Sequence, residues 1–133
     1  MALGHLGVNV EDLATARSYY GALMPFVGYE MFLDDRDQFA YRPAGGKPGA
    51  YLFFYPASEG GSYSRNRVGL QHLAFMVKSR SAVHEVHRFV EQLDGEVVHE
   101  PQVFPQYPPP YFATFWQDPF GIMLEAVCHY DRD

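Results

Sequence analysis

The hexapeptide His5-Leu-Gly-Val-Asn-Val10 returns sixty-seven residues later as His72-Leu-Ala-Phe-Met-Val77. Each copy runs histidine, leucine, a small residue, an apolar residue, a variable position and valine. Both alternate as strands do. His5, Gly7 and Asn9 then share one face, and His72, Ala74 and Met76 share the corresponding face. The opposite faces, Leu6/Val8/Val10 and Leu73/Phe75/Val77, are bulky and apolar. Each strand therefore has a packing side and a roomier side headed by a histidine.

The offset persists well beyond the hexapeptide. Asp12 is positioned to cap a helix reaching about Met24, with Ala16, Tyr19 and Leu23 as its buried stripe. Ser79 or Ser81 would cap a second helix, whose stripe Val83, Val86 and Val90 stands at the same offset. Gly28 and Gly95 repeat it again, each leading into a strand (29–33 and 96–99). Strands at 38–42 and 50–55 complete the first half, and strands at 112–117 and 122–128 the second. Residues 43–49 read as a turn. The run 101–111 carries five prolines and cannot be a central strand. An accidental match of six residues would not carry the helix stripe and the stop glycine with it, so the repeat is structural. The expected fold is α+β: two βαβββ modules, about 1–56 and 70–129, joined by a linker at 57–69. Together they make a single domain over 1–133, curved into one cupped eight-stranded mixed sheet.

The length of 133 residues suits one domain. A formal charge of −6 with no basic stripe argues against nucleic acid and anionic membranes as partners. The acidic run Asp34-Asp35-Arg36-Asp37 reads as a solvated turn. A single cysteine, Cys128, leaves no internal disulfide, and no stretch reads as a signal peptide or a spanning helix; a cytoplasmic protein is expected. Aromatic residues make up 17% of the chain, more than a core of this size needs, so some are expected to line a cavity.

Two modules about a pseudo-twofold place equivalent first-strand positions on facing strands. His5 and His72 would then converge at a spacing suited to a divalent metal. The closing strand holds Glu125 on one face with Met123 and Val127. A carboxylate inside Ile-Met-Leu-Glu-Ala-Val must be exposed, paired or metal-bound, because unpaired burial is expensive. Aligning the loop glycines Gly49 and Gly121 sets Phe53 opposite Glu125, and neither Phe53 nor its neighbours Leu52 and Phe54 can ligate. If Phe53 faces inward, so do Tyr51 and Tyr55, whose phenols can hydrogen-bond a bound oxygen; Tyr55 joins Glu125 as a candidate catalytic group. Tyr107, Tyr111 and His99 flank the proline-rich run, which reads either as a cap over the site or as a stiff surface crossover. Tyr51, Phe53, Tyr55, Tyr107 and Tyr111 are the candidate substrate-binding residues. Arg65 and Arg67 read as solvated linker residues, with a seat for an anionic substrate tail as the alternative. His84 and His87 read as solvent-facing, and His129 as surface.

The paired βαβββ modules, the histidine on each first strand and the closing Asp118-Pro-Phe-Gly-Ile-Met-Leu-Glu125 resemble the vicinal oxygen chelate superfamily. That group includes glyoxalase I, extradiol dioxygenases, fosfomycin-resistance transferases, methylmalonyl-CoA epimerase and bleomycin-binding proteins. The usual closing motif has an acidic residue where this chain has Phe120. The resemblance implies that His5, His72 and Glu125 are ligands of one divalent ion (Fe, Mn, Zn or Ni). Glyoxalase I carries a further ligand glutamate at the place of Phe53, so this chain presents two histidines and one carboxylate, a set that suits Fe(II) oxygenases and also Mn or Zn chemistry. The implied activity is metal-dependent catalysis on a small substrate with adjacent oxygens, glyoxalase- or dioxygenase-like. The alternatives are a metal-free protein that sequesters a small aromatic molecule, and a metal-dependent epoxide-opening transferase. A homodimer is expected, because the family usually covers its open edges and concave mouth with a second copy.

Overall fold

The computed structural model describes residues 2–133. Among them the order is β1 (His5–Val10), α1 (Leu13–Leu23), β2 (Tyr29–Asp35), β3 (Gln38–Pro43), β4 (Tyr51–Pro56), β5 (Leu73–Met76), α2 (Arg80–Gln92), β6 (Glu96–Val103), β7 (Phe112–Gln117) and β8 (Met123–Cys128). The chain forms two compact units, one ending at Ser62 and the other starting at Tyr63, a boundary inside the expected linker. Each unit is βαβββ. The described strands are hydrogen-bonded as two four-stranded mixed sheets, β1-β4-β3-β2 and β5-β8-β7-β6. In each, the first strand pairs in parallel with the last. The two-module α+β architecture is thus the one the repeat predicts. No helix among the described residues is long and apolar enough to cross a membrane.

In the first unit, Asp12 caps α1 as expected, its Oδ1 accepting from the amides of Ala14 and Thr15 at 3.1 and 3.3 Å. The helix buries Ala16, Tyr20 and Leu23. Tyr20 takes the place expected of Tyr19, because positions i+3 and i+4 both lie on a helix face and packing selects between them. The Tyr20 ring lies 4.3 Å from that of Phe54 on β4, and Phe39 stacks on Phe54 at 4.9 Å. A short 3-10 turn, Met24–Val27, ends at Gly28 with φ of 80°, a backbone that favours glycine. Asp34 and Asp35 belong to β2 rather than to a turn, and Arg17 Nε donates to Asp34 at 2.9 Å.

Tyr41 in this core is 2% exposed and its hydroxyl has no hydrogen-bond partner. Burial pushes its phenol up to about 12, with the Asp34 carboxylate adding to the rise and Arg17 opposing it. The folded state therefore favours the protonated phenol. Its contribution is intact below the ordinary pKa of about 10 and is lost as the pH climbs toward about 12, roughly 2–3 kcal/mol over that window. Tyr41→Phe removes a buried unsatisfied group and is expected to raise stability by about 1 kcal/mol at neutral pH. It should also flatten the alkaline loss. Denaturant melts at pH 7 and pH 11 check both; an unchanged alkaline limb would refute the assignment.

In the second unit, Ser79 Oγ accepts from the Ala82 amide at 3.1 Å and starts α2. The helix buries Val83, Val86 and Val90, the expected stripe, together with Phe89. His87 departs from expectation: its side chain is only 14% exposed, with Nε2 at 3.4 Å from Glu91. Its offset partner is Tyr20, so it inherits a buried position. His84 is exposed, its ring 5.4 Å from that of Phe112. Gly95 ends the helix for a different reason from Gly28. A Cβ there would stand 2.6 Å from Val90 Cγ1 and 3.0 Å from the Val90 carbonyl oxygen. Close approach, not a positive φ, requires glycine there.

β6 runs to Val103, beyond the expected 96–99, so the start of the proline-rich run is strand. It lies at the sheet edge, where the missing amide of Pro101 is tolerated, and its pairing with β7 slips between His99 and Gln102. β8 lies between β5 and β7. The turn before it is fixed by Asp118, whose Oδ1 accepts from the amides of Phe120 and Ile122 at 2.8 and 2.9 Å. Along β8, Met123 and Val127 share one face with Glu125 and pack in a cluster with Phe104, Ala113 and Phe115.

Candidate functional site

Glu125 stands at the middle of the second sheet with no solvent exposure. The edge-strand surface position is therefore excluded. Its two oxygens have different neighbours. Oε2 accepts from the Tyr111 hydroxyl at 2.5 Å. Oε1 is buried without an aligned hydrogen bond, although His72 Nε2 stands 3.0 Å away. His72 lies one residue ahead of β5, rather than inside it as the alternation predicts.

The second nitrogen of His72 is also engaged. Nδ1 is in contact with Gln71 Oε1. Nε2 faces the carboxylate oxygen at 3.0 Å, a separation that a shared proton or a cation can bridge. A histidine held by its far nitrogen, beside an unsatisfied buried carboxylate oxygen, is the arrangement of a metal ligand with its supporting partner. His72 and Glu125 fit a divalent ion in this sense. Among the described residues of this unit no third His, Cys, Asp or Glu completes a ligating group.

The surroundings are aromatic. Phe115, across from Glu125 on β7, lies 5.7 Å from the His72 ring and 5.5 Å from that of His99. Tyr111 is close to Tyr107 at 4.8 Å and to His129 at 5.1 Å. Burial raises the Tyr111 phenol, and its bond to the Glu125 carboxylate raises it further. Tyr111 therefore remains a donor at neutral pH. Phe104, Pro105, Gln106 and Tyr107 from the proline-rich run wall a cavity of about 350 Å³ together with His72, His99 and Arg65. The run thus contributes to the cavity wall while its residues 105–109 stay exposed.

The remaining expected residues gather in the first unit. The register of β1 with β4 sets His5 beside Tyr51, Gly7 beside Phe53 and Asn9 beside Tyr55. Tyr51, Phe53 and Tyr55 thus share the face of His5, while Leu52 and Phe54 are buried beneath. His5 is edge-on to Phe53 at 5.5 Å, and Phe53 stacks with Tyr55 at 6.3 Å. Gly7 is small because Tyr55 lies over it: a Cβ would stand 3.2 Å from Tyr55 Cε2. In the second sheet Ala74, the offset partner of Gly7, pairs with Glu125. Phe53 and Glu125 are therefore equivalent positions, as the loop glycines predict, and only the second carries a carboxylate.

Three residues escaped the sequence reading. Gln71 holds the far nitrogen of His72, and its place directly before the repeated histidine was the available signal. Gln102 lines the cavity from the bulged part of β6, which no periodicity marks. Phe115 floors the His72 ring and was legible only as an inward residue of β7. Arg65, read as a solvated linker residue, instead lines the cavity with its Nη1 2.9 Å from Met123 Sδ.

A family model described as the Glyoxalase/Bleomycin resistance protein/Dioxygenase superfamily matches residues 2–126. No curated protein matches the chain. Among solved structures, one from Bacillus halodurans, provisionally assigned as a glyoxalase, is 27% identical, with 96% of this chain and 95% of that chain covered and a TM-score of 0.81. Lactoylglutathione lyase from Agrobacterium tumefaciens is 20% identical over 96% of this chain and 92% of its own, at a TM-score of 0.63. A genomically encoded fosfomycin resistance protein from Listeria monocytogenes is 14% identical over 98% and 95%, at 0.70. The last two show likeness of fold alone.

Proposed function

The chain belongs to the glyoxalase/bleomycin resistance protein/dioxygenase superfamily, and from that premise we propose that it is a divalent-metal-dependent enzyme acting on a small substrate with adjacent oxygens. The observation that carries this reading is the pair His72 Nε2 and Glu125 Oε1, 3.0 Å apart, the oxygen buried and without an aligned donor. His72 and Glu125 would hold the ion, and His5, the offset partner of His72, is the proposed third ligand, from the same chain or from a second copy. The ion would supply Lewis acidity to an anion developing on the substrate's two oxygens.

The chain's own groups have definite parts in this scheme. Gln71 contacts the far nitrogen of His72 and orients the ring. Tyr111 holds the second oxygen of Glu125 and so fixes the carboxylate's rotation. Phe104 and Phe115 give His99, and one side of His72, apolar ring neighbours. Tyr55, exposed at 36% on the aromatic wall of the first unit, is the proposed hydrogen-bond donor to a substrate oxygen, with Tyr51 and Phe53 packing beside it and Tyr107 lining the cavity. The repeat position equivalent to Glu125 is Phe53, which cannot ligate, and the want of a fourth ligand favours ring-opening dioxygenation over glyoxalase-type isomerisation.

Protein purified without chelator is expected to carry close to one divalent ion per proposed site. Chelation should lower its melting temperature, and the matching metal should restore it. Absence of stoichiometric metal, with no shift on adding Fe, Mn, Zn or Ni salts, would turn the reading toward a metal-free binding protein in which His72 simply pairs with Glu125. A homodimer is proposed as the assembly; a sedimentation mass of one chain at micromolar concentration would refute it.

A further inference from the structure

The wall of the second unit's cavity carries an arginine that makes no ion pair. Arg65 lines the cavity, and no Asp or Glu does so among the described residues. The guanidinium makes no ion pair within 4.0 Å there; its nearest recorded polar contact is Met123 Sδ. A thioether is a weak acceptor, whereas a guanidinium offers five donors in a fork that matches a carboxylate. The chain as a whole carries −6, so a guanidinium without an ion pair in a cavity wall is a local positive group available to an anionic ligand.

The position of Arg65 is fixed locally. Its neighbours fold into a closed turn, with the Asn66 amide donating to Ser64 Oγ at 3.2 Å and the Arg67 amide to the Ser64 carbonyl at 3.2 Å. The Tyr63 hydroxyl donates to the Leu70 carbonyl and closes the segment. Met123, where the guanidinium rests, lies two residues from Glu125 on the same face of β8. Two residues of strand span on the order of 7 Å, about the breadth of one substituted six-membered ring. Phe104, Phe115 and Tyr107 supply flat apolar walls along the cavity, and Gln71, Gln102 and Gln106 supply neutral polar groups.

We propose that Arg65 is the specificity-determining anion seat of this site, and that the ligand is a small planar monocarboxylate whose adjacent oxygens lie at the far end from the carboxylate. The inference rests on the preceding reading for the position of those oxygens at His72 and Glu125. The volume of about 350 Å³ admits one ring with its substituents and excludes long peptidic conjugates such as a tripeptide thiol adduct lying wholly within it.

Two probes that differ only in the anion test the assignment: 3,4-dihydroxybenzoate and 1,2-dihydroxybenzene, titrated anaerobically by calorimetry into the whole chain, with metal content measured on the same samples. The wild type should bind the acid at least about tenfold tighter than the neutral diol. Arg65→Gln should bring the two probes to near parity by weakening the acid alone, with melting temperature and metal content unchanged. Arg65→Lys should recover part of the preference, because it keeps the charge and loses the fork. An acid preference that survives in Arg65→Gln, or a wild type that binds neither probe, overturns the proposal. If the preference follows Arg65 while diol binding is indifferent to chelation, the anion seat stands and the metal reading falls.

Discussion

Glu125→Gln is expected to lower metal affinity at least about a hundredfold and, in chelator-treated protein, to leave the melting temperature at or above that of the wild type. The first half follows from charge. An amide of the same shape keeps the acceptor toward Tyr111 but removes the anion that a divalent ion needs, and loss of even an outer partner of a ligand typically costs 10–100-fold. The second half follows from burial. Glu125 is fully buried, and its Oε1 has no aligned donor. An incompletely compensated buried carboxylate is a liability that a neutral isostere relieves. The two melting curves should therefore cross. With metal at a hundred times its dissociation constant, the wild type gains about 2.7 kcal/mol that the variant lacks. Without metal the order should vanish or invert. A variant destabilised equally in both conditions would mean that Glu125 serves packing and its bond to Tyr111, not a metal. A variant with full metal and lost turnover would place it outside the ligand shell as a base.

What was legible in the sequence is what repeats or what interrupts a pattern. His5 and His72 stand out because the surrounding hexapeptide is stated twice, and Glu125 because a carboxylate interrupts an apolar strand. The helix stripes follow the offset in the second unit and miss by one residue in the first, where Tyr20 displaces Tyr19 to reach Phe54. Gly28 and Gly95 share an offset and a role as helix stops, yet one needs a positive φ and the other the absence of a Cβ. Periodicity reports that a small residue is required, not which constraint requires it. The contacts of Gln71 with His72, Tyr111 with Glu125 and Arg65 with Met123 come from loops. Their side-chain directions depend on turns and connecting segments, so no alternation or offset points to them.

Asp118→Ala should lower stability by about 2–4 kcal/mol and weaken the site although Asp118 is not a proposed ligand. The side chain is nearly buried, and Oδ1 accepts from the amides of Phe120 and Ile122 at 2.8 and 2.9 Å. Alanine leaves both donors short of a charged acceptor, each at a cost of about 1–3 kcal/mol when buried. The backbone bonds of the turn, Asp118 amide to Ile122 carbonyl at 2.9 Å and Gly121 amide to Asp118 carbonyl at 3.1 Å, remain, so the strand should still form. What changes is how firmly its entry is held. Met123 and Glu125 follow directly on one face of β8, and Glu125 must meet both His72 and Tyr111 within hydrogen-bond distances. A loosened turn lets β8 shift along β5 and β7, and a displacement of well under one residue is enough to separate those atoms. Asp118→Asn keeps an acceptor of the same reach and should restore most of the stability. Denaturant melts of the three proteins, paired with metal titrations, test the coupling. If metal affinity falls with stability in Asp118→Ala and returns with it in Asp118→Asn, the turn positions the carboxylate; if stability falls while metal affinity holds, the sheet alone fixes Glu125 and the turn serves only the fold.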